Sequence, residues 1–225
     1  MTLCQCLDIL SEVSELTDRR REEEKDRRRS EILAAAVAAA AEGGFDAITM
    51  DQIARRARLS RALVYVYFED KAAVYLALCE QAMESLLQRF AAATRDASNG
   101  LAKLAAMGAA YVAFSQQEPI HFEALARFEA RNSDELEQVA GRWLDLCDLC
   151  HNGLTATLRE GIADGSVRAD VGDPDAVAVA LWGFMHGVIQ IAATKEALLI
   201  HRNTSAAALY EHAMALTMRS LGTAS

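Results

Sequence analysis

Between Thr49 and Lys71 the chain carries three helix-start signals in quick succession. Thr49-Met-Asp-Gln52 is a capping box, with Thr at the N-cap and Gln at N3. Ser60 can cap a second short helix running to about Phe68, and Asp70 can cap a long helix that begins near Lys71. Upstream, residues 27–42 read as a helix with Ile32, Leu33, Ala36, Val37 and Ala40 on one face. Gly43-Gly44 stops it by offering a left-handed cap. Helices this short are marginal alone, so they must be held by packing. Ile53, Ala54 and Ala57 of the middle helix and Leu63, Val64 and Phe68 of the next supply the inward faces. Helix, capped turn, helix, three-residue turn, helix is the geometry of a helix-turn-helix unit.

The remainder of the 225 residues is helical by the same criteria. Alanine and leucine abound, prolines number only two, and alternating β-branched runs are scarce. Helices are expected over about 101–117, ending before Pro119, and over about 120–131. A long one, capped by Asn132 or Ser133, should run to about Ala163 with Gly165 ending it. Asp173-Pro174-Asp175 opens another that reaches about 194, and a last helix spans about 204–221. The fold class is therefore all-α. The expected organisation is an N-terminal extension over 1–26, a helix-turn-helix domain over 27–72, and a larger helical domain over 73–225. No charge-free apolar run of 18 residues is expected to span a membrane. The start MTLCQCLDILSEVSEL lacks a basic leader, and five cysteines form no framework, so a reduced, cytoplasmic protein is expected.

The extension has two halves. Leu3, Leu7, Leu10, Val13 and Leu16 or Thr17 recur at helical spacing, and DRRREEEKDRRR follows, with Glu23–Arg27 and Glu24–Arg28 as favourable i,i+4 pairs. Charge is unevenly divided: residues 27–71 sum to +2, whereas residues 1–26 sum to −4 and residues 72–225 to −7. The helix-turn-helix stretch is the net-basic part of an acidic chain, which suits a surface aimed at a polyanion.

The site follows from which side chains can leave the core. Ser60, Arg61, Ala62, Tyr65 and Tyr67 can face out of the third helix. A tyrosine hydroxyl can bond a phosphate while its ring covers sugar and thymine methyl groups, and an arginine can reach a guanine edge. Thr49 and Lys71 sit at helix N-termini, where backbone N–H groups already favour an anion. Arg27, Arg28 and Arg29 could follow the DNA backbone or enter a minor groove. In isolation a Tyr-Phe cluster at helical spacing is more often core than a nucleic-acid contact.

The stretch from Ile32 to Val74 resembles the DNA-binding domain of the tetracycline-repressor (TetR) family of bacterial regulators. The residues carrying the likeness are Ile32-Leu33-Ala34-Ala35-Ala36, Gly44-Phe45, Thr49, Ile53-Ala54, Leu59-Ser60, and Tyr65-Val66-Tyr67-Phe68-Glu69-Asp70-Lys71. Gly165-Ser-Val-Arg168-Ala-Asp170, Asp173-Pro174 and Gly187 are similar to the same family farther on. The chain departs from the pattern at Arg58 and Ala62, where glycines are usual. Arg58 must adopt an unusual backbone or relax the turn.

The resemblance implies a homodimer that binds a double-stranded, palindromic operator and is released by a small-molecule effector. It implies a four-helix interface built from the helices over 174–194 and 204–221. A mostly apolar pocket would be lined by Met107, Tyr111, Phe114, Phe122, Leu125, Phe128, Trp143, Leu146, Cys147, Trp182, Met185, His186 and Ile189, each of which taken singly reads more readily as ordinary core. Arg127 and Arg131, if turned inward, would suit an anionic ligand. An alternative signal is a metal at Cys147, Cys150 and His151, with His121 or His186 completing the set, or thiol oxidation there or at Cys4 and Cys6. No cofactor is expected. No nucleophile elbow, phosphate loop or zinc motif points to catalysis. A helical interaction protein or enzyme without DNA binding is the reading of a different class.

Overall fold

The computed structural model describes residues 3–128 and 141–223, with side chains from Thr17 onward. The chain divides into two compact units, residues 1–78 and 79–225.

In the first unit, α1 (Leu3–Ala47) is interrupted at Gly44, whose φ of 76° and ψ of 162° leave the helical region before one further turn. The expected glycine stop is thus a kink; its ψ lies outside the left-handed helical well. Then come α2 (Met50–Ala57), α3 (Arg61–Tyr67) and the start of α4 (Lys71–Thr94). Each start is capped by its own residue. Thr49 and Gln52 form the reciprocal box, the Gln52 N–H donating to Thr49 Oγ1 at 3.3 Å and the Thr49 N–H to Gln52 Oε1 at 2.8 Å. Ser60 Oγ accepts from Leu63 N–H at 3.2 Å, and Asp70 Oδ1 from Ala73 N–H at 2.8 Å. Ile32, Ile53, Val64, Phe68 and Val74 are buried together at 2% exposure or less. Leu63, expected to face in, is only half-buried.

The turn between α2 and α3 resolves the first departure from the family pattern. Arg58 adopts φ 56°, ψ 37°, the left-handed conformation a glycine would take without strain. Its N–H still bonds Arg55 O at 3.2 Å and Leu59 N–H bonds Ala54 O at 2.9 Å, so the turn keeps its form and the backbone bears the cost. Arg58→Gly is expected to stabilise the unit by about 0.5–1 kcal/mol, the relief of strain exceeding the added chain entropy. Chemical denaturation measures this, and a loss of stability would show that Arg58 contributes a contact outweighing its strain.

The charged stretch is a ladder of exposed intrahelical pairs. Arg27 reaches Glu24 at 2.6 Å and Glu31 at 3.2 Å, and Arg28 reaches the same two carboxylates at 2.9 Å each. Glu24–Arg28 pairs as its spacing predicts. Arg27 turns to Glu24 and Glu31 instead of Glu23, which pairs with Arg19 at 3.9 Å. Exposed, solvated pairs like these contribute little to stability.

The second unit takes the rest of α4, then α5 (Gly100–Gln117), α6 (Pro119–Arg127), α7 (Arg142–Ala163), α8 (Pro174–Thr194), α9 (Glu196–His201) and α10 (Ala206–Leu221). The helix expected over 120–131 ends at Arg127, and α7 starts at Arg142. The proposed caps Asn132 and Ser133 lie outside the described residues. The one-turn-and-a-half α9 was not expected; it follows α8 after Lys195 without a strong breaker in the sequence. Two apolar clusters fill the unit. One joins Leu86, Tyr111, Phe114, Phe122, Met185 and Ile189; the other joins Leu104, Leu158, Val167, Ala178 and Leu221. A clasp ties α5 to the end of α7. Asp164 accepts from Gly100 N–H at 2.8 Å and from Ser166 N–H at 2.8 Å, and Ser166 Oγ accepts from Leu101 N–H at 3.0 Å. Those contacts hold the Asp164 carboxyl below its ordinary pKa, the Ser166 hydrogen bond foremost. Glycine is required here: a Cβ on Gly100 would stand 2.3 Å from Gly161 Cα.

The expectation about membrane-length helices needs correcting. α8 has 21 residues and a mean hydropathy of 1.7 in its most apolar window, so by length and composition it could cross a membrane. One side of it is accounted for by Ala178, Met185, Val188 and Ile189, which are buried in the unit. The rest leaves Val179, Trp182, Phe184 and Ile191 exposed, beside an exposed Leu216 on α10.

Candidate functional site

α3 presents a distinct outer face. Ser60, Arg61, Ala62 and Tyr65 are exposed on it, and Val66 is 76% exposed. Arg61 is held by neighbours rather than buried. Its Nε lies 3.2 Å from Asp51 Oδ1, its Nη2 3.4 Å from the Tyr65 hydroxyl, and its guanidinium 5.5 Å from the Tyr65 ring centre. The Tyr65 hydrogen bond, then the Asp51 charge, raises the Arg61 pKa, so the side chain stays cationic. Tyr67 is half-buried, and its carbonyl accepts from Arg29 Nη1 at 3.0 Å.

That contact makes Arg29 a positioning residue, whereas the sequence suggested that it follows the DNA backbone or enters a minor groove. Its guanidinium lies 4.4 Å from the Phe68 ring centre while its N–H satisfies a carbonyl at the C-terminal end of α3. The signal was present: Arg29 precedes buried Ile32 and Leu33 by three and four positions, so the helical register turns it inward. Val66, which the sequence assigned to neither face, also lies outward.

The flanking residues are partly engaged. Thr49 is exposed, and its hydroxyl lies 3.1 Å from Gln52 Oε1 as well as receiving the Gln52 N–H. Lys71 Nζ donates to Asp46 O at 3.0 Å. Arg27 and Arg28 have their charges paired along α1, and a hydrogen bond to Glu31, foremost, raises the Arg28 pKa.

In the second unit a cavity of about 350 Å³ opens among the helices. Met83, Leu86 and Phe90 of α4 form one wall, and Leu104, Met107, Gly108 and Tyr111 of α5 the next. Leu125 and Phe128 close one side, and α7 adds Trp143, Cys147, Cys150, His151 and Leu154. α8 supplies Val179, Leu181, Trp182, Met185 and His186, and α10 supplies Met214, Thr217 and Met218. Of the candidates named from sequence, Met107, Tyr111, Leu125, Phe128, Trp143, Cys147, Trp182, Met185 and His186 stand on this wall. Phe114, Phe122 and Ile189 do not: they are at most 5% exposed and pack into the core behind it. Leu146 is half-buried and also off the wall. The α4 stripe at positions 83, 86 and 90 was overlooked although its i, i+3, i+7 spacing was legible.

The polar groups of the cavity are few. The Tyr111 hydroxyl and His186 Nδ1 are 2.8 Å apart. Burial raises the Tyr111 pKa and lowers that of His186. Burial also pushes the Cys147 and Cys150 thiols up to about 11, so both stay protonated and weakly nucleophilic at neutral pH. Among the described residues no three His, Cys, Asp or Glu side chains converge to hold a metal ion, so the Cys147, Cys150 and His151 spacing does not become a ligand set. Arg127 is exposed, 3.3 Å from Glu123, and does not turn inward. Arg131 and the side chains of Cys4 and Cys6 lie outside the described residues.

Comparison with known proteins places both units. The family model described as bacterial regulatory proteins, tetR family, matches residues 32–78, and one described as a tetracyclin repressor-like C-terminal domain matches residues 104–217. An uncharacterized HTH-type transcriptional regulator of Bacillus subtilis is 51% identical over 35 residues, 16% of this chain and 18% of that protein. The match therefore spans about a fifth of that relative's length. Among solved structures, the fatty acid degradation regulator FadR from Bacillus halodurans has a TM-score of 0.68 at 19% identity, with 85% of this chain and 94% of that one covered. A ketosteroid transcriptional regulator of Mycobacterium tuberculosis has a TM-score of 0.65 at 20% identity, covering 88% and 96%. A bacterial regulatory protein in the tetR family from Rhodococcus RHA1 has a TM-score of 0.67 at 20% identity, covering 88% and 98%. At these identities the likeness is one of fold.

Proposed function

The chain belongs to the tetR family of bacterial regulatory proteins, and from that membership we propose that it is a cytoplasmic, homodimeric transcriptional repressor released from a palindromic operator by a small, mostly apolar effector. It acts by binding and not by catalysis. The observation that carries the reading is the outer face of α3, where Arg61 and Tyr65 stand exposed on a helix capped at its start and anchored by Phe68 and Arg29. Arg61 reads base edges, Tyr65 meets a phosphate, and Val66 with Ala62 meets thymine methyls. Thr49 and Lys71 receive phosphates at the N-termini of α2 and α4. Paired Arg27 and Arg28 are held back from the duplex by Glu24 and Glu31 in the unbound protein.

Two copies are needed because one recognition helix reads a single half-site, and successive major grooves recur every roughly 34–36 Å. Phe184 and Ile191 of α8 and Leu216 of α10 are the exposed apolar side chains available to bury between copies. Met83, Leu86 and Phe90 line the cavity on the same helix that begins at Lys71. An effector pressing on that stripe shifts α4 and with it the spacing of the paired heads. Operator binding measured with and without small apolar compounds tests this; a complex indifferent to all of them would remove the effector from the account.

Lys71→Ala is expected to weaken binding to every duplex alike and to reduce the salt slope by about one per protomer. A loss confined to one sequence would mean that Lys71 reads bases.

A further inference from the structure

The cavity wall is apolar but its polar inventory is specific enough to name what it receives. Among the described lining residues none is Lys, Arg, Asp or Glu. Thr217 Oγ1 is spent on Ala213 O at 2.9 Å within α10. His151 Nε2 lies 3.9 Å from Asp175 Oδ1. The two thiols are protonated and are weak hydrogen-bonding groups. Within the wall a side-chain hydrogen bond joins two lining residues, the pair Tyr111–His186, at 2.8 Å, with Trp182 beside it.

The direction of that pair follows from burial. Tyr111 is 5% exposed, so its hydroxyl hydrogen needs an acceptor, and His186 Nδ1 at 2.8 Å provides it. The opposite tautomer would leave a buried phenol donor unpaired. With Nδ1 accepting, the second nitrogen of the neutral ring, Nε2, carries hydrogen. Among the described residues it has no partner. The ring is held among Phe122 at 5.2 Å, Trp182 at 5.7 Å and Tyr111 at 6.3 Å between centroids, so this donor is fixed in place.

We propose that the cavity takes an uncharged, predominantly apolar molecule carrying a single carbonyl-type hydrogen-bond acceptor, and that the Nε2–H of His186 donates to it. This rests on the reading of the cavity as the effector site. A carboxylate is disfavoured because the described wall offers no cation and neutral His186 supplies one hydrogen bond only; an ammonium is disfavoured because Nε2–H repels it. A plain hydrocarbon fits the apolar wall and leaves the donor unsatisfied.

The chain's two tryptophans, Trp143 and Trp182, both line the cavity, so their fluorescence reports occupancy directly. The DNA-free full-length protein is titrated with four matched probes: benzylacetone, butylbenzene, 4-phenylbutanoate and 4-phenylbutylamine. Benzylacetone is expected to bind about tenfold tighter than butylbenzene, with the carboxylate and the amine weaker still. In His186→Phe the ketone and the hydrocarbon should bind alike, whereas His186→Gln, which keeps a donor, should restore part of the preference. Melting curves of both variants verify that they fold. Carboxylate binding as tight as the ketone, a preference that survives in His186→Phe, or no binding by any probe overturns the inference. Operator release is measured separately with benzylacetone: ketone-selective binding without release would overturn the effector role and leave the cavity chemistry standing.

Discussion

Arg61→Ala is expected to lower operator affinity by roughly 30- to 25,000-fold, since each of two half-sites loses a bidentate base contact worth about 1–3 kcal/mol. The unbound protein shows why the side chain is available. Its bridge to Asp51 is solvated on both sides, with side-chain exposures of 62% and 56%, and such bridges contribute little. A guanine edge, offering O6 and N7 in the fork geometry of the guanidinium, replaces that pair with a gain. Asp51 meanwhile keeps Arg61 over the Tyr65 ring and ready for the groove. The fold should be unaffected, because Arg61 is exposed and the Ser60 cap does not involve it. A duplex panel measured at two salt concentrations gives the result. Loss of preference at one base position marks readout, and a uniform loss with a flatter salt slope marks a phosphate contact instead.

Gly100→Ala is expected to cost about 3–5 kcal/mol and to lower the melting temperature of the second unit on the order of 10 °C. The new Cβ would stand 2.3 Å from both Cα and N of Gly161 and 3.0 Å from Thr157 O, all backbone atoms that cannot rotate away. Relief requires α5 and α7 to separate, and separation breaks the Gly100 and Leu101 hydrogen bonds to Asp164 and Ser166. Gly153→Ala, on the same α7 with no atom within 4 Å of its Cβ, is the control; it should stabilise slightly, by about 0.5–1 kcal/mol. Equal melting temperatures for the two variants would show that the α5–α7 contact is not packed as described.

What was legible in the sequence was what local rules govern. Thr49, Ser60 and Asp70 announce helix starts because each start requires acceptors for its own N–H groups, and Pro174 announces another through its fixed φ, the Asp173 side chain making no cap hydrogen bond. Pro119 and Gly165 mark ends for equally local reasons. Arg58 shows the limit. The sequence narrowed the turn to strain or relaxation, and only the packing of α2 against α3 selects strain. The cavity was legible only in part. A buried aromatic such as Phe114 and a wall aromatic such as Phe128 carry the same pattern, and their difference depends on how far neighbouring helices stand apart. The polar pair Tyr111–His186 joins residues 75 positions apart, which no local pattern links. Arg29 sits in a run of arginines that all suit a DNA backbone, and the fold turns this one toward Phe68; no local signal marks Val66 as outward.

The central claim is that two copies of this chain read a two-fold-symmetric duplex through α3. Selection of binding sequences from a random duplex pool by the full-length protein tests it most directly. The account predicts an enriched palindrome whose half-site centres lie about 10–10.5 base pairs, or a multiple of that, apart. It also predicts that the Arg61→Ala protein no longer enriches one position in each half. A pool that stays random, or an enriched site without two-fold symmetry, would contradict it.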